Sequence, residues 1–501
     1  MEIELGKELV TVSETVYDAA VEQGIEYDYV LPEYYPDIFK VLKCAIKPGI
    51  ASYRISGGQL ILDGTAYIKA LYAAEDGELR CVEHKYTYSK NVDIIRGADV
   101  PDGADVAITL KTDYANCRGV SGRRLNINGA VSAKIKVTVQ KQSEILVSVN
   151  GAGLETKRTP IKFSGERLKG STQTVIREEI ETGSGKDGDV SVISVSESTD
   201  ITDVKIVGEK VIIKGTATVK ALYVTVNESK GVTESLEAEL PINVIVDVPN
   251  ITPEHTVYAS VTVLDSDLKA RPSDVAATRV FGYDITLDIK VSAHTEKTVD
   301  AVTDVYSTEF ELTAATKRAN AETVPQIVKE QFTLKNTVSV SGGASDNISE
   351  IIDADCVITN TGITVNGAEL RFTGQAIYSV LGRAEDGTAI YAEKTEVFDV
   401  PVQITETAEN YIFDPEIEVK SVSASIADAA GTTADFRVTL TLGGALYRII
   451  TTDVIGEIGI DTDAPKNKQT DYGLKVYYAS EGDTLWEIGK RESVSAGKIA
   501  D

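Results

Sequence analysis

Apolar and polar residues alternate along much of this chain with a period of two, and one such stretch occurs three times. Gly64-Thr65-Ala66-Tyr67-Ile68-Lys69-Ala70-Leu71-Tyr72 returns as Gly215-Thr216-Ala217-Thr218-Val219-Lys220-Ala221-Leu222-Tyr223. It returns more weakly as Gly374-Gln375-Ala376-Ile377-Tyr378-Ser379-Val380-Leu381-Gly382. Alternation of this kind marks a strand with one buried face. Ala66, Ile68, Ala70 and Tyr72 fall on one side, and Tyr67, Lys69 and Leu71 on the other. The leading glycines lie 151 and 159 residues apart, a period that fits a repeated domain rather than a solenoid unit.

Turn signals repeat with the strands. Gly57, Gly208 and Gly367 each precede the strand glycine by seven residues, within Gly57-Gly58, Val207-Gly208-Glu209 and Asn366-Gly367. Such dipeptides between apolar runs predict hairpins. Each copy also has a later alternating strand: Leu125–Val139, Tyr283–Val291 and Phe436–Leu442. One wet and one dry face per strand predicts antiparallel sheets. The fold class is therefore mainly β: three tandem antiparallel β-rich modules, built as sandwiches or open barrels. They are placed at 1–155, 160–312 and 323–460, the third divergent. Between them, Lys157–Gly170 and Thr313–Glu322 are polar or mixed, the second with some helical character. Residues 461–473 lack apolar periodicity and read as a flexible linker.

Composition narrows the function. The chain has 501 residues, 50 Lys plus Arg against 77 Asp plus Glu, and a net charge of −27. That balance argues against nucleic acid and against an anionic membrane surface. Cys44, Cys81, Cys117 and Cys356 do not recur at equivalent repeat positions and form no CxxC, so reduced cytosolic thiols are expected. Met1–Leu5 is acidic, without the apolar core of a secretion signal. No apolar run approaches the ~20 residues that span a bilayer, so no direct membrane insertion is expected.

Catalytic motifs are not found. His84, His255 and His294 show no zinc-ligand spacing, so no metal and no cofactor are expected. His84 lies near Cys81, but no third member of a nucleophilic triad can be named. Gly165–Thr172 has the glycine spacing of a phosphate loop but lacks its lysine, and reads as a loop. Glu178, Glu179 and Glu181 read as a solvated face. The chain is read as not an enzyme.

Two stretches remain as candidate contacts. Leu31-Pro32-Glu33-Tyr34-Tyr35-Pro36-Asp37-Ile38 carries two prolines that exclude a helix interior or central strand. It is either an entry turn or an exposed patch presenting Tyr34, Tyr35 and Asp37. The tail, residues 474–501, contains Gly482-Asp483-Thr484-Leu485-Trp486-Glu487-Ile488. Asp483 or Thr484 can cap a helix, and Leu485, Trp486 and Ile488 begin an amphipathic face, more as core than as contact.

These residues carry a family resemblance. The tail motif resembles the opening of a LysM module, a βααβ unit whose loop walls a groove for N-acetylglucosamine chains. Only its N-terminal half is recognisable, so independent folding and glycan binding are not expected of it. Leu31–Ile38 and Gly64–Tyr72 resemble the SPOCS domain. Several SPOCS modules followed by LysM resemble the SipL-like spore-coat proteins. The resemblance implies a non-enzymatic adaptor of the mother-cell cytoplasm. It would be recruited to the forespore surface and spore coat by the coat morphogenetic ATPase SpoIVA, largely through the tail, with other coat proteins as further partners. A glycan-binding protein of wall or cortex is the alternative.

Overall fold

The computed structural model describes the chain apart from residues 1–2, 76, 96–98, 102–103, 166, 183–188, 228–229, 272–278, 341–346, 367–368, 405–409, 414, 467–475 and 501. Gly367, expected in the third hairpin turn, lies outside the described residues, as does most of the expected linker.

Long antiparallel strands dominate. The first module uses β1 (Glu4–Val30), β2 (Ile38–Ser56), β3 (Gln59–Ala74), β4 (Leu79–Asp93), β5 (Asp105–Ser121) and β6 (Arg124–Asn150). They form two three-stranded sheets, ordered β2-β3-β4 and β1-β6-β5. β3 is the repeat strand. Its Ala66, Ile68, Ala70 and Tyr72 meet Ile25, Leu125, Ile127 and Val131 of the opposing sheet in one core. Gly64 is required there: a Cβ would stand 2.2 Å from the Tyr88 ring, which lies across from it in register. In the third copy Phe398 covers Gly374 in the same way.

The second module follows β7 (Leu154–Ser164). It comprises β8 (Leu168–Thr182), β9 (Asp189–Val207), β10 (Lys210–Asn227), β11 (Lys230–Asp247), β12 (Thr256–Arg271) and β13 (Arg279–His294). Its sheets are ordered β11-β10-β9 and β12-β13-β8. Gly57 and Gly208 both turn at φ +60°, the left-handed geometry that glycine adopts without penalty.

Two further strands, β14 (Glu296–Ser307) and β15 (Phe310–Glu322), lead to the third module. That module holds β16 (Gln326–Ser339), β17 (Glu350–Asn366), β18 (Glu369–Arg383), β19 (Ala389–Gln403), β20 (Tyr411–Phe413), β21 (Glu416–Ile426) and β22 (Thr433–Pro465). Its β17-β18-β19 sheet faces β22 flanked by β16 and β21. At the position of Tyr72 and Tyr223 this copy has Gly382, and Ile348 fills the space, within 2.6 Å of where a Cβ would sit. Volume is conserved although the residue is not.

Several expectations are corrected. Thr313–Glu322 is not helical but lies in β15, and Lys157–Gly170 belongs largely to β7 and β8. From Leu168 the Gly165–Thr172 stretch is strand rather than loop. Asp461–Pro465, placed in a linker, ends β22 and pairs with β15. These polar segments form ribbons that neighbouring ribbons cover, so their own sequence need not show a broad apolar face. The lower halves of β1 and β6 make one ribbon, β7 with β14 a second, and β15 with β22 a third. Val10, Ile145, Ile161, Phe163, Val299, Ala319 and Val454 pack all three ribbons into a common hub.

The cysteines also differ from expectation. Cys44 and Cys117 form a disulfide between β2 and β5, with Cα atoms 5.5 Å apart. They stand 73 residues apart in sequence, so only the folding of the two sheets against each other brings them together. Cys81 and Cys356 are free, and burial pushes both thiols up to about 12.

The modules join at the upper end as well. Leu71, Leu222 and Leu381, the eighth residue of each repeat, meet in one apolar cluster with Leu42, Ile193 and Ala389. At Leu71 and Ala73 the face of β3 opposite its module core is thus buried against the other repeats. Between this cluster and the hub lies a chamber of about 2100 Å³ lined by all three modules. Ion pairs tie its walls: Lys47–Glu197 at 2.7 Å, Lys43–Asp355 at 3.3 Å and Lys220–Asp353 at 2.8 Å. Side chains also cap strand edges across modules. The Lys220 ammonium donates to the Ala354 carbonyl at 3.0 Å, and the Thr199 N–H donates to the Glu418 carboxylate. Occupied edges of this kind resist unwanted strand addition.

Candidate functional site

The two candidate contact regions lie at opposite ends of β1. At the upper end, between β1 and β2, the loop from Leu31 to Asp37 is held by one side chain. Arg123, at the β5–β6 turn, donates to the carbonyls of Pro32 at 2.7 Å, Tyr35 at 3.2 Å and Leu31 at 3.4 Å, and to the Asp37 carboxylate at 2.6 Å. Its five donors in a rigid fork suit this convergence. The Leu31 N–H donates to the Arg123 carbonyl at 2.9 Å, and the Ile38 N–H to the Gly122 carbonyl at 2.7 Å. The Tyr72 hydroxyl, reaching up through the core, donates to the Pro36 carbonyl at 3.1 Å.

This arrangement separates the three residues expected as a patch. Asp37 is engaged by Arg123 and helps fix the loop. Tyr35 is partly buried, its ring centroid 4.8 Å from that of Tyr34. Tyr34 itself projects into solvent. Below the loop, Tyr27 of β1 stacks on His84 of β4 with centroids 4.0 Å apart and planes 8° from parallel. Tyr29 meets the same imidazole edge-on. Burial, followed by neighbouring Tyr35, pushes the Tyr29 hydroxyl above its ordinary range. His84 therefore acts as a packing partner, not as a partner of Cys81.

At the lower end the tail docks on the hub. It contains α1 (Leu485–Glu492) and a one-turn α2 (Ala496–Ala500). Thr484 is the N-cap, in a reciprocal capping box with Glu487. Asp483 accepts from the Tyr477 hydroxyl and from the Ser480 N–H, and these bonds hold its carboxyl below the usual range. Gly482 turns at φ +96°. Among the described residues Val476–Ser480 is not a strand.

The three apolar tail residues have different fates. Ile488 is buried, Trp486 is half-buried and Leu485 is exposed. The Trp486 indole N–H donates to Asp304 of β14 at 2.8 Å, and Lys490 donates to the same carboxylate at 2.7 Å. Burial pushes the Asp304 carboxyl up, but these two donors outweigh it and hold it below its ordinary value. Trp486 also meets Tyr306 edge-to-face at 4.8 Å, and the Tyr306 hydroxyl donates to the Val494 carbonyl at 2.8 Å. Gly489 permits this approach, since a Cβ would lie 2.6 Å from that hydroxyl. Of the expected contact residues Trp486, with its neighbour Lys490, holds the tail to the body, while Asp483 and Thr484 bond within the tail and Leu485 stays exposed.

Sequence reading missed a polar junction of modules two and three. Buried His294 lies 3.1 Å from the Ser164 hydroxyl and 3.1 Å from the Tyr447 hydroxyl. Burial lowers its pKa to about 3, helped by Arg167, His255 and Lys169, so it is a neutral hydrogen-bonding link. Its partners come from different sheets, and no local spacing announces them. Among the described residues no group of three or more His, Cys, Asp or Glu side chains could hold a metal ion. No helix among them is long and apolar enough to cross a membrane.

Comparison with known proteins returns one family. The model described as SipL, SPOCS domain matches residues 37–118 and 190–271. No curated protein and no solved structure matches the chain. In both modules the matched segment spans the three-stranded sheet with the repeat strand at its centre, and continues into the next strand. The first two modules therefore each carry a segment similar to the SPOCS domain.

Proposed function

We propose that this chain is a non-enzymatic structural adaptor in bacterial spore-coat assembly, binding the coat morphogenetic ATPase SpoIVA at the forespore surface. The observation that carries the reading is the SPOCS-type segment occurring twice. It sits in a body whose repeats are bound together by an apolar cluster and a shared hub. A rigid body of that design supplies fixed surfaces for several partners. Mother-cell synthesis, with recruitment to the coat, belongs to the same proposal. A partial LysM role for the tail belongs to it as well.

The test is binding of purified SpoIVA to the full chain and to a chain lacking residues 472–501. Binding lost with the tail makes the tail the recruitment element. Binding retained moves the contact to the β modules. A chain that binds no SpoIVA but is retained on purified peptidoglycan would replace this reading by glycan recognition.

A further inference from the structure

The tail is seated on the body by side chains, and one carboxylate is the centre of the seat. Asp304 of β14 accepts the Trp486 indole N–H at 2.8 Å and the Lys490 ammonium at 2.7 and 2.9 Å. Trp486 and Lys490 lie one turn apart on α1, so both reach the same point. The Val305 N–H donates to that carboxylate at 2.8 Å and fixes its direction. Tyr306 shares the same face of β14 as Asp304. Its ring meets the indole edge-to-face, and its hydroxyl donates to the Val494 carbonyl just beyond α1. Lys466, at the end of β22, donates to the Ser493 hydroxyl at 3.1 Å.

This seat differs in kind from the joints between modules. Among the described residues no backbone hydrogen bond joins the tail to a strand. The central ion pair is open to solvent, with the Lys490 side chain 47% and the Asp304 side chain 29% exposed. Pairs of that exposure are individually weak and are screened by salt. The modules, by contrast, are joined through buried apolar clusters. The seat therefore holds the tail reversibly on a body that stays assembled.

Seating uses the tail motif itself. Trp486 gives both its N–H and its ring to the body and Ile488 is buried, while Leu485 and Tyr478 stay exposed. A partner that takes Trp486 must displace Asp304 and Tyr306. Its apparent affinity is reduced by the fraction of chains whose tail is free.

We propose that Asp304 and Tyr306 form an autoinhibitory latch, which withholds Trp486 from the recruiting partner while the tail is seated. The proposal names the regulation of the tail and rests on the reading of the tail as the recruitment element. Both latch residues lie outside the tail, so the latch can be opened with the tail sequence intact.

The test uses the full chain carrying Asp304→Asn with Tyr306→Phe, which keep the shape of the seat but remove its charge and its hydroxyl. Hydrogen exchange and Trp486 emission report the latch, and titration with purified SpoIVA reports recruitment. The expected result is faster exchange in α1 and emission at longer wavelength, with the far-UV signal of the strands unchanged. SpoIVA should bind this variant about tenfold more tightly, the change that loss of one charge-assisted bond in the seat allows. Asp304→Asn alone, which leaves the buried Tyr306 intact, should show the same changes more weakly. Unchanged exchange and emission in the double variant would overturn the latch, since the pair would not hold the tail. So would a tail that opens while SpoIVA affinity stays the same or falls; if binding is still lost on deletion of residues 472–501, the tail remains the recruitment element. SpoIVA binding that survives that deletion, or no binding by any form, overturns the recruitment reading and the latch with it.

Discussion

Leu222→Ala tests whether the repeats form one body. Leu222 is 3% exposed, and Leu71 and Leu381, at 6% and 4%, belong to the same cluster. Truncation removes three carbons, about 2.4 kcal/mol at ~0.8 kcal/mol per buried group. The residual cavity raises the total to about 3–5 kcal/mol. Were the modules independent, this side of β10 would face water and the change would stay within about 0.5 kcal/mol. The assay is urea unfolding followed by far-UV circular dichroism, comparing midpoints at equal slope. Leu71→Ala should cost a similar amount. The double variant should depart from the sum of the two by about 0.5–3 kcal/mol, because the residues share a cavity. Single losses below about 0.5 kcal/mol, or strict additivity, would refute the convergent arrangement.

Other consequences are open to direct measurement. Tyr72→Ala should destabilise module one by about 3–5 kcal/mol, whereas Tyr72→Phe, which keeps the ring and loses the hydroxyl that bonds Pro36, should cost about 1 kcal/mol in the same unfolding assay. His294 is neutral in the fold, and its pKa lies at about 3, below the ordinary value of 6.5. The unfolded chain therefore binds the extra proton, and this contribution is lost as pH falls from 6.5 toward 3. His294→Gln should flatten the acid limb of stability against pH, and an unchanged limb would contradict the burial. Cys117→Ala opens a crosslink between residues 73 apart and should lower stability by about 4 kcal/mol on the chain-entropy estimate, read from unfolding midpoints under non-reducing conditions. Asp304→Ala should release α1 and shift the emission of Trp486, the single tryptophan, to longer wavelength while the β signal persists.

Local rules made the module legible. Alternation from Gly64 to Tyr72 marks a strand whatever surrounds it, because successive side chains point to opposite faces. The repeated glycine intervals then give three related units, and Gly57 and Gly208 do turn where hairpins were expected. The Thr484 cap was legible for the same reason, since its bonds lie within one helical turn. What lay beyond was non-local. Leu71 and Lys69 read as a wet face because much of the surface that covers Leu71 comes from the other modules, from Ile193, Leu222 and Leu381. β7 and β15 read as polar connectors because each ribbon gains its apolar cover only at the hub. Arg123, the Cys44–Cys117 pairing, the His294 junction and the Asp304 seat of Trp486 all join distant strands. The sequence by itself determined strands, turns and the repeat, which depend on neighbours along the chain. Only the tertiary structure decided which second faces are buried and which aromatic residues remain free, because both depend on what packs across the space between strands.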